Sequence, residues 1–361
     1  MTNTLDQDLE RIYRGLTETE KADFQDSVIL ITGCAGFLGR IVSAYFSRYR
    51  DELGVRRVLG VDTRARKEAG DLSPSLEYHR LDIVEDSLET ISDSRQVTHV
   101  LHMASIASPV FYRLHPLETL GANVWGLKNL LDYYRDGFLR GFLYFSSSEI
   151  YGEPPPKWIP TPESYRGNVP TTGPRSCYDE SKRFGETLCY YYRQEYRMPL
   201  AVVRPFNTFG PGMSPEDGRV TADFGRSILT GRDLVLYSDG TPTRTFCYIS
   251  DAITGYLKAL AHCSTGRLPI WNIGSAEPEV SMEKLAGIFL KTGRRHFGYS
   301  GRIRKEISGD PQYLTDNPSR RCPDLTLAER ELGYHPRISL EEGIFYYLTH
   351  LKEEMDMTHG K

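Results

Sequence analysis

The hydrophobic pattern changes character near Ser27, and a regular alternation follows. Val28–Thr32 is an unbroken apolar run rich in β-branched residues, the mark of a strand buried on both faces. Gly36–Arg50 has the spacing of a helix. Val58–Val61, Val97–Met103, Gly141–Ser146 and Leu200–Arg204 read as further strands with helices between them, and a short strand precedes Asp82. Strands alternating with helices predict an α/β fold with a doubly wound parallel sheet. Before this, Leu5, Leu9, Ile12 and Leu16 recur at helical spacing among charges. Residues 1–26 are therefore expected to form a helical extension, packed on the main body or on a second subunit. Glu153–Pro174, rich in Pro, Gly and Thr, is expected as a long ordered loop above the carboxyl edge of the sheet.

Past residue 205 the alternation weakens. Residues 206–248 and 263–350 are expected to form a smaller α/β substrate-binding lobe, with 249–262 returning to the main domain as a helix and 351–361 as a tail.

Gly33-Cys34-Ala35-Gly36-Phe37-Leu38-Gly39 follows the first strand and opens the first helix. In this G-x-x-G-x-x-G turn, a side chain at Gly33 or Gly36 would block the tight turn or the approach of a pyrophosphate, and Gly39 lets the helix lie close on the sheet. The helix N-terminus offers unpaired N–H groups to phosphate. Set between strand and helix, the motif points to a Rossmann-type dinucleotide-binding domain over 27–205. Asp62 ends the second strand, where a carboxylate accepts hydrogen bonds from both ribose hydroxyls and repels a 2′-phosphate, favouring NAD over NADP. Arg64 argues the other way, because an arginine there can accommodate that phosphate.

Tyr178-Asp179-Glu180-Ser181-Lys182 is a Y-x-x-x-K, which on a helix sets tyrosine and lysine on one face. The lysine ammonium is expected to hold the nicotinamide ribose and to lower the pKa of the phenol. The tyrosinate would then act as general base on an alcohol, or as acid in reverse. Upstream, the strand end Ser146-Ser147-Ser148-Glu149-Ile150-Tyr151-Gly152 offers a hydroxyl for the reacting oxygen.

These strings resemble the extended short-chain dehydrogenase/reductase superfamily, the NAD-dependent epimerases and dehydratases. His102–Pro109, Gly173–Arg183, Arg204–Pro211, Asp217–Val220, Thr243–Tyr248 and Arg321–Asp324 are similar to those of UDP-glucuronic acid decarboxylases (UDP-xylose synthases). The resemblance spans roughly residues 27–350. It implies that Ser147 is the catalytic hydroxyl residue, Glu149 the active-site glutamate and Tyr178 and Lys182 the redox pair, with Arg321 beside Glu149. It implies that Phe37, Leu38, Thr63, Arg64, Asp82, Ile83, Met103, Ala104, Asn123 and Pro205 join the glycines and Asp62 around NAD. It implies a UDP-sugar held by Ser108, Tyr112, Glu149, Asn207, Arg219, Val220, Tyr237, Arg244 and Arg321. The implied reaction oxidises C4, loses carbon dioxide from the resulting β-keto acid and reduces C4 again, so that NAD stays tightly bound and is recycled. A homodimer through a four-helix bundle is also implied, built from the helices that carry Tyr133-Tyr134 and Tyr190-Tyr191-Tyr192.

Ile106, Cys247 and Ser181 depart from the family's usual residues. A nucleotide-sugar 4-epimerase or dehydratase remains an alternative, since both begin with the same oxidation. Ser148-Glu149 stands where typical 4,6-dehydratases carry an Asp-Glu pair. A catalytically idle NAD-binding protein is the alternative of another class, against which both Tyr178 and Lys182 are retained.

Composition adds limits. The formal charge of −4 over 361 residues gives no basic field for nucleic acid. The six cysteines form no C-x-x-C pair, which suits reduced thiols. His99, His102 and His115 lack ligand spacing, so no metal is expected. No apolar run reaches membrane-spanning length, and the N-terminus lacks a signal-peptide pattern, so a soluble cytoplasmic protein is expected. Trp125 and Trp158 are expected as packing residues and Pro154-Pro155-Pro156 as a stiff loop edge.

Overall fold

The computed structural model describes residues 2–359 apart from 71, 264, 265, 311 and 314. Its centre is a seven-stranded sheet in which every pairing is parallel. The strands are β1 (Val28–Thr32), β2 (Arg57–Asp62), β3 (Glu77–Arg80), β4 (His99–His102), β5 (Gly141–Phe145), β6 (Leu200–Pro205) and β7 (Ile270–Ile273). Their spatial order is β7-β6-β5-β4-β1-β2-β3. All five residues of β1 and of β5 are buried, as continuous apolar runs require when both faces are covered. The chain reverses direction of growth on either side of β1, so the carboxyl ends of β1 and β4 flank the crevice where such sheets bind ligands.

Two cores lie on the two faces. One includes Leu127, Leu130 and Leu131 of helix α3 (Leu127–Tyr134) and Cys189 and Tyr192 of α4 (Ser176–Tyr196). The other is larger and joins α1 (Asn3–Gly15), α2 (Phe37–Arg48), α6 (Ile249–Ala261) and α8 (Leu340–His359). Between them in sequence, α5 (Val220–Leu229) and α7 (Met282–His296) pack with short strands, Leu234–Leu236 beside Ile303–Lys305 and Thr243–Arg244 between Val280–Ser281 and Arg320–Arg321. This smaller α/β part roofs the carboxyl edge of the sheet.

The N-terminal helix docks on the main body. Leu9 and Ile12 are fully buried against α6 and α8. Thr2 Oγ1 bonds His350 Nδ1 at 2.7 Å, Tyr248 donates to Asp8 at 2.6 Å, and the buried Lys258 ammonium grips both Glu20 oxygens at 3.0 Å. The segment 263–350 contributes β7 to the main sheet, paired in parallel with β6. Helix α8 runs on through 351–359, the stretch expected as a tail, with Leu351 buried; residues 360 and 361 lie outside the described residues.

Candidate active site

A cleft of about 1500 Å³ opens along the carboxyl edge of the sheet, between it and the smaller part. The glycine turn forms one end. Gly33 has φ +70°, and a Cβ on it would lie 2.8 Å from the Ala104 Cα. A Cβ on Gly39 would overlap the Gly33 carbonyl oxygen, so this glycine is what lets α2 sit on the turn. A Cβ on Gly36 would meet only that same oxygen, at 3.1 Å, and would otherwise fill the cleft. Gly36 caps α2 without any side-chain hydrogen bond, leaving the helix N-terminus for a ligand. Asp62 sits beside it, accepting from the N–H groups of Ala35 at 3.1 Å and Arg64 at 3.2 Å. Arg64 donates to the Ala35 carbonyl at 2.8 Å, so it is tied to the turn. Phe37, Leu38, Thr63, Asp82, Ile83, Met103, Ala104 and Pro205 also line this cleft.

The reacting groups meet at the middle. Tyr178 and Lys182 lie one turn apart on α4, and Lys182 Nζ donates to the Phe145 carbonyl at 2.7 Å. Burial pushes the Tyr178 phenol up to about 12, and the hydrogen bond with Ser147 pulls only partly against it. Burial brings the Lys182 ammonium down to about 7. The expected lowering of the phenol by the lysine is thus outweighed: Lys182 Nζ stands 5.8 Å from the Tyr178 ring centre and spends its hydrogen bond on a carbonyl, while both groups are cut off from water. Ser147 accepts from the Glu149 N–H at 3.2 Å and so orders the turn after β5.

Glu149 has the most elaborate setting. Arg321 grips it with two parallel hydrogen bonds of 2.6 Å, and Arg175 holds the second carboxylate oxygen from another direction. Burial alone would raise this carboxyl, but Arg175, Arg321 and Arg244 overcome it and hold the group at about 2. Asp179, one helical turn after Arg175, is pushed the other way, to about 7, by burial and by the Glu149 charge. Arg175 Nε, Arg321 Nε, Asp179 Oδ1 and Tyr112 Oη are buried without hydrogen-bond partners.

The far end is basic. Arg244 donates to the carbonyls of Thr243, Ser319 and Pro318 and to Asn317 Oδ1, and burial and the Arg321 charge bring it down to about 9. Arg219 pairs with Asp217 and lies 5.4 Å from the Phe37 ring centre. Val220 begins α5, whose N-terminus carries no side-chain cap. Two uncapped helix ends thus face one cleft, which suits two diphosphates. Asn207 donates to the Thr245 carbonyl at 2.9 Å, Ser108 to the Asp217 carbonyl at 2.8 Å, and Tyr237 lies exposed at the rim.

Two of the expected residues stand behind the wall. Tyr112 is 1% exposed and stacks flat on Tyr178, ring centres 5.0 Å apart at 12°. Asn123, in a π-helical turn over Gly121–Gly126, donates to Ser181 Oγ at 2.8 Å and so pins α4 from outside the cleft. Arg175 was not singled out from sequence, although its place three residues before Tyr178 and four before Asp179 sets all three on one helical face.

Fold and site define a Rossmann-type dinucleotide-binding scaffold with a long cleft over the carboxyl edge of its sheet. The chain belongs to the NAD dependent epimerase/dehydratase family, whose model matches residues 29–274. UDP-glucuronic acid decarboxylase 5 of Arabidopsis thaliana is 36% identical over 88% of this chain and 86% of that relative. UDP-glucuronic acid decarboxylase 1 of Xenopus tropicalis is 34% identical over 91% of this chain and 73% of its own length. The fold matches UDP-glucuronic acid 4-epimerase from Bacillus cereus, solved with UDP-glucuronic acid and NAD, at a TM-score of 0.75, covering 91% of this chain and 99% of that one at 24% identity. NAD is the family's cofactor, and the open cradle at Gly36, the bare end of α2 and Asp62 fit it.

Proposed function

We propose that the protein removes carbon dioxide from UDP-glucuronate to give UDP-xylose. The observation that carries this reading is the anionic Glu149, clasped by Arg321 and Arg175 beside the Ser147–Tyr178–Lys182 group. Gly33, Gly36, Gly39 and Asp62 would hold NAD, which when bound accepts a hydride and gives it back. Ser147 and Tyr178 orient the C4 oxygen, and Tyr178 Oη takes its proton and later returns it. Lys182, pushed down in pKa by burial, regains its ordinary charge when anionic or hydroxylic groups enter beside it. With C4 a ketone, the C6 carboxylate is β to a carbonyl, so the electrons of the breaking C5–C6 bond have somewhere to go. Arg321 and Glu149 would orient that carboxylate, and the proton that C5 gains would come from water, because an ionised Glu149 has none of its own to give. Arg219, Arg244 and the N-terminus of α5 would hold the diphosphate.

The test is incubation with UDP-glucuronate, following carbon dioxide and the sugar product by NMR. UDP-xylose is the expected product, and Tyr178→Phe should cut turnover by about 10²–10⁴-fold while NAD still binds. Formation of UDP-galacturonate without carbon dioxide would point to the epimerase instead, and full turnover by the phenylalanine variant would remove the mechanism.

A homodimer through α3 and α4 belongs to the same proposal. Trp125 precedes α3, and Phe184 and Tyr191 lie on α4; these side chains are 55%, 49% and 58% exposed. Tyr134 and Tyr192 point into the core instead. A cytoplasmic setting draws support from the six free thiols.

A further inference from the structure

The buried cluster around Glu149 is larger than the proposed reaction has used. Arg175 shares the Oε2 oxygen of Glu149 with Arg321, and its guanidinium carbon lies 5.8 Å from the centre of the Tyr112 ring. That ring stacks on Tyr178. Arg175 therefore bonds the glutamate and lies near the ring that supports the phenol, with its side chain 8% exposed. Its backbone carbonyl accepts the N–H groups of Tyr178 at 3.0 Å and Asp179 at 3.1 Å, so it also starts the helix that carries the phenol. Glu149 itself contributes through a turn after β5, and Arg321 through a strand more than 170 residues further along the chain. Ser147 links the Glu149 backbone to the phenol, and Arg175 links the Glu149 carboxylate to the helix and the ring that carry the phenol.

We propose that Arg175 is a positioning residue that fixes Glu149 relative to Tyr178, and so couples oxidation at C4 to loss of the carboxylate at C5. This rests on the decarboxylase reading above and names a further residue for it. The charge inventory agrees. Arg175, Arg244 and Arg321 surround one carboxylate, with Asp179 at 3.6 Å from Arg175 Nε as the next acidic group. The surplus of positive charge receives a second carboxylate, that of the sugar, only while Glu149 keeps its place. Removing Arg175 leaves Arg321 alone bonded to Glu149, with Arg244 acting only through its charge, and allows both the glutamate and the Tyr112 ring to shift. A displacement of ~1 Å is enough to cost about a hundredfold in rate.

The experiment compares wild type, Arg175→Met and Arg175→Lys, each loaded with NAD and given UDP-glucuronate. Carbon dioxide release is followed beside the near-ultraviolet absorbance of reduced nicotinamide, and UDP-glucuronate affinity is measured by calorimetry. In Arg175→Met, carbon dioxide release should fall about a hundredfold while reduced cofactor accumulates, because oxidation outlives its coupling to the next step. An acidic limb should also appear in the pH profile. Glu149, freed of one guanidinium and faced by Arg321, Arg244, Asp179 and the phenols of Tyr112 and Tyr178, takes up a proton at higher pH than before. Arg175→Lys should restore part of the coupling. Equal losses of reduced cofactor and carbon dioxide in both variants, with no new limb, would mark a merely structural arginine and overturn the proposal. So would an unchanged partition. Should Arg175→Met not fold, the partition and pH profile of Arg175→Lys decide alone. A wild type that releases no carbon dioxide would instead remove the decarboxylase reading, and this inference with it.

Discussion

Glu149 keeps its charge where water is scarce because two guanidiniums replace the water. Alanine there would leave Arg321 buried and unpaired and Arg175 with Asp179 alone, and breaking such a pair costs about 3–5 kcal/mol. Glu149→Ala should therefore melt well below the wild type, and Glu149→Gln, which still accepts hydrogen bonds, should melt between them. Lys182 gives a pH signature in the NAD-free protein. Folding holds its ammonium near 7, against an ordinary 10.5, so the unfolded chain binds the extra proton between those values. Stability from this group rises as pH climbs through that window. Asp179 acts below it: the folded carboxyl keeps its proton up to about 7, and that contribution is lost as pH rises from its ordinary 3.8. Urea midpoints across pH should show the alkaline rise in wild type and a flatter line in Lys182→Met. At this scale short strings in the sequence singled out Ser147, Glu149, Tyr178, Lys182 and Arg321, and these side chains all line one cleft. The retreat of Tyr112 behind Tyr178 was not legible, since the direction of a ring depends on what packs around it.

The elements were easier to read than their partners. Continuous apolar runs announced β1, β5 and β6, a shorter apolar stretch between histidines announced β4, and the glycine turn announced α2. Strand β7 was hidden because Asn272 interrupts a four-residue run; its Nδ2 serves the carbonyls of Thr161 and Asp324 inside the core. The amphipathic stripe of α1 announced a need for cover without saying by what. Within the glycine turn two neighbouring positions should respond differently. Gly36→Ala should leave the fold intact and weaken NAD binding, because its Cβ enters the cradle. Gly39→Ala should destabilise the protein by about 1–3 kcal/mol, because its Cβ collides with backbone. Fluorescence titration with NAD and thermal melts separate the two effects, and equal behaviour would contradict these roles for the glycines.

At the scale of the whole molecule, α1 is a structural member of the sheet domain. It covers α6, whose other side lies on β5 and β6. Ile12→Ala should cost about 2–5 kcal/mol, as for any fully buried aliphatic, even though the residue lies outside the family match that begins at 29. Denaturant unfolding measures this directly, and a loss under 1 kcal/mol would mean that the helix is loosely attached.

Thr161 sits in the loop 153–174 of the main domain. Its N–H donates to the Cys322 carbonyl at 2.8 Å, and its own carbonyl accepts from Asp324 at 3.0 Å. The backbone on both sides of Pro323 is thereby sewn to the larger part of the molecule, immediately after Arg321. The cleft around Arg321 consequently has one edge bound like the spine of a book. Arg113 and Asp310 join the same two parts by a weaker stitch, a 2.8 Å half-exposed clasp that water can undo.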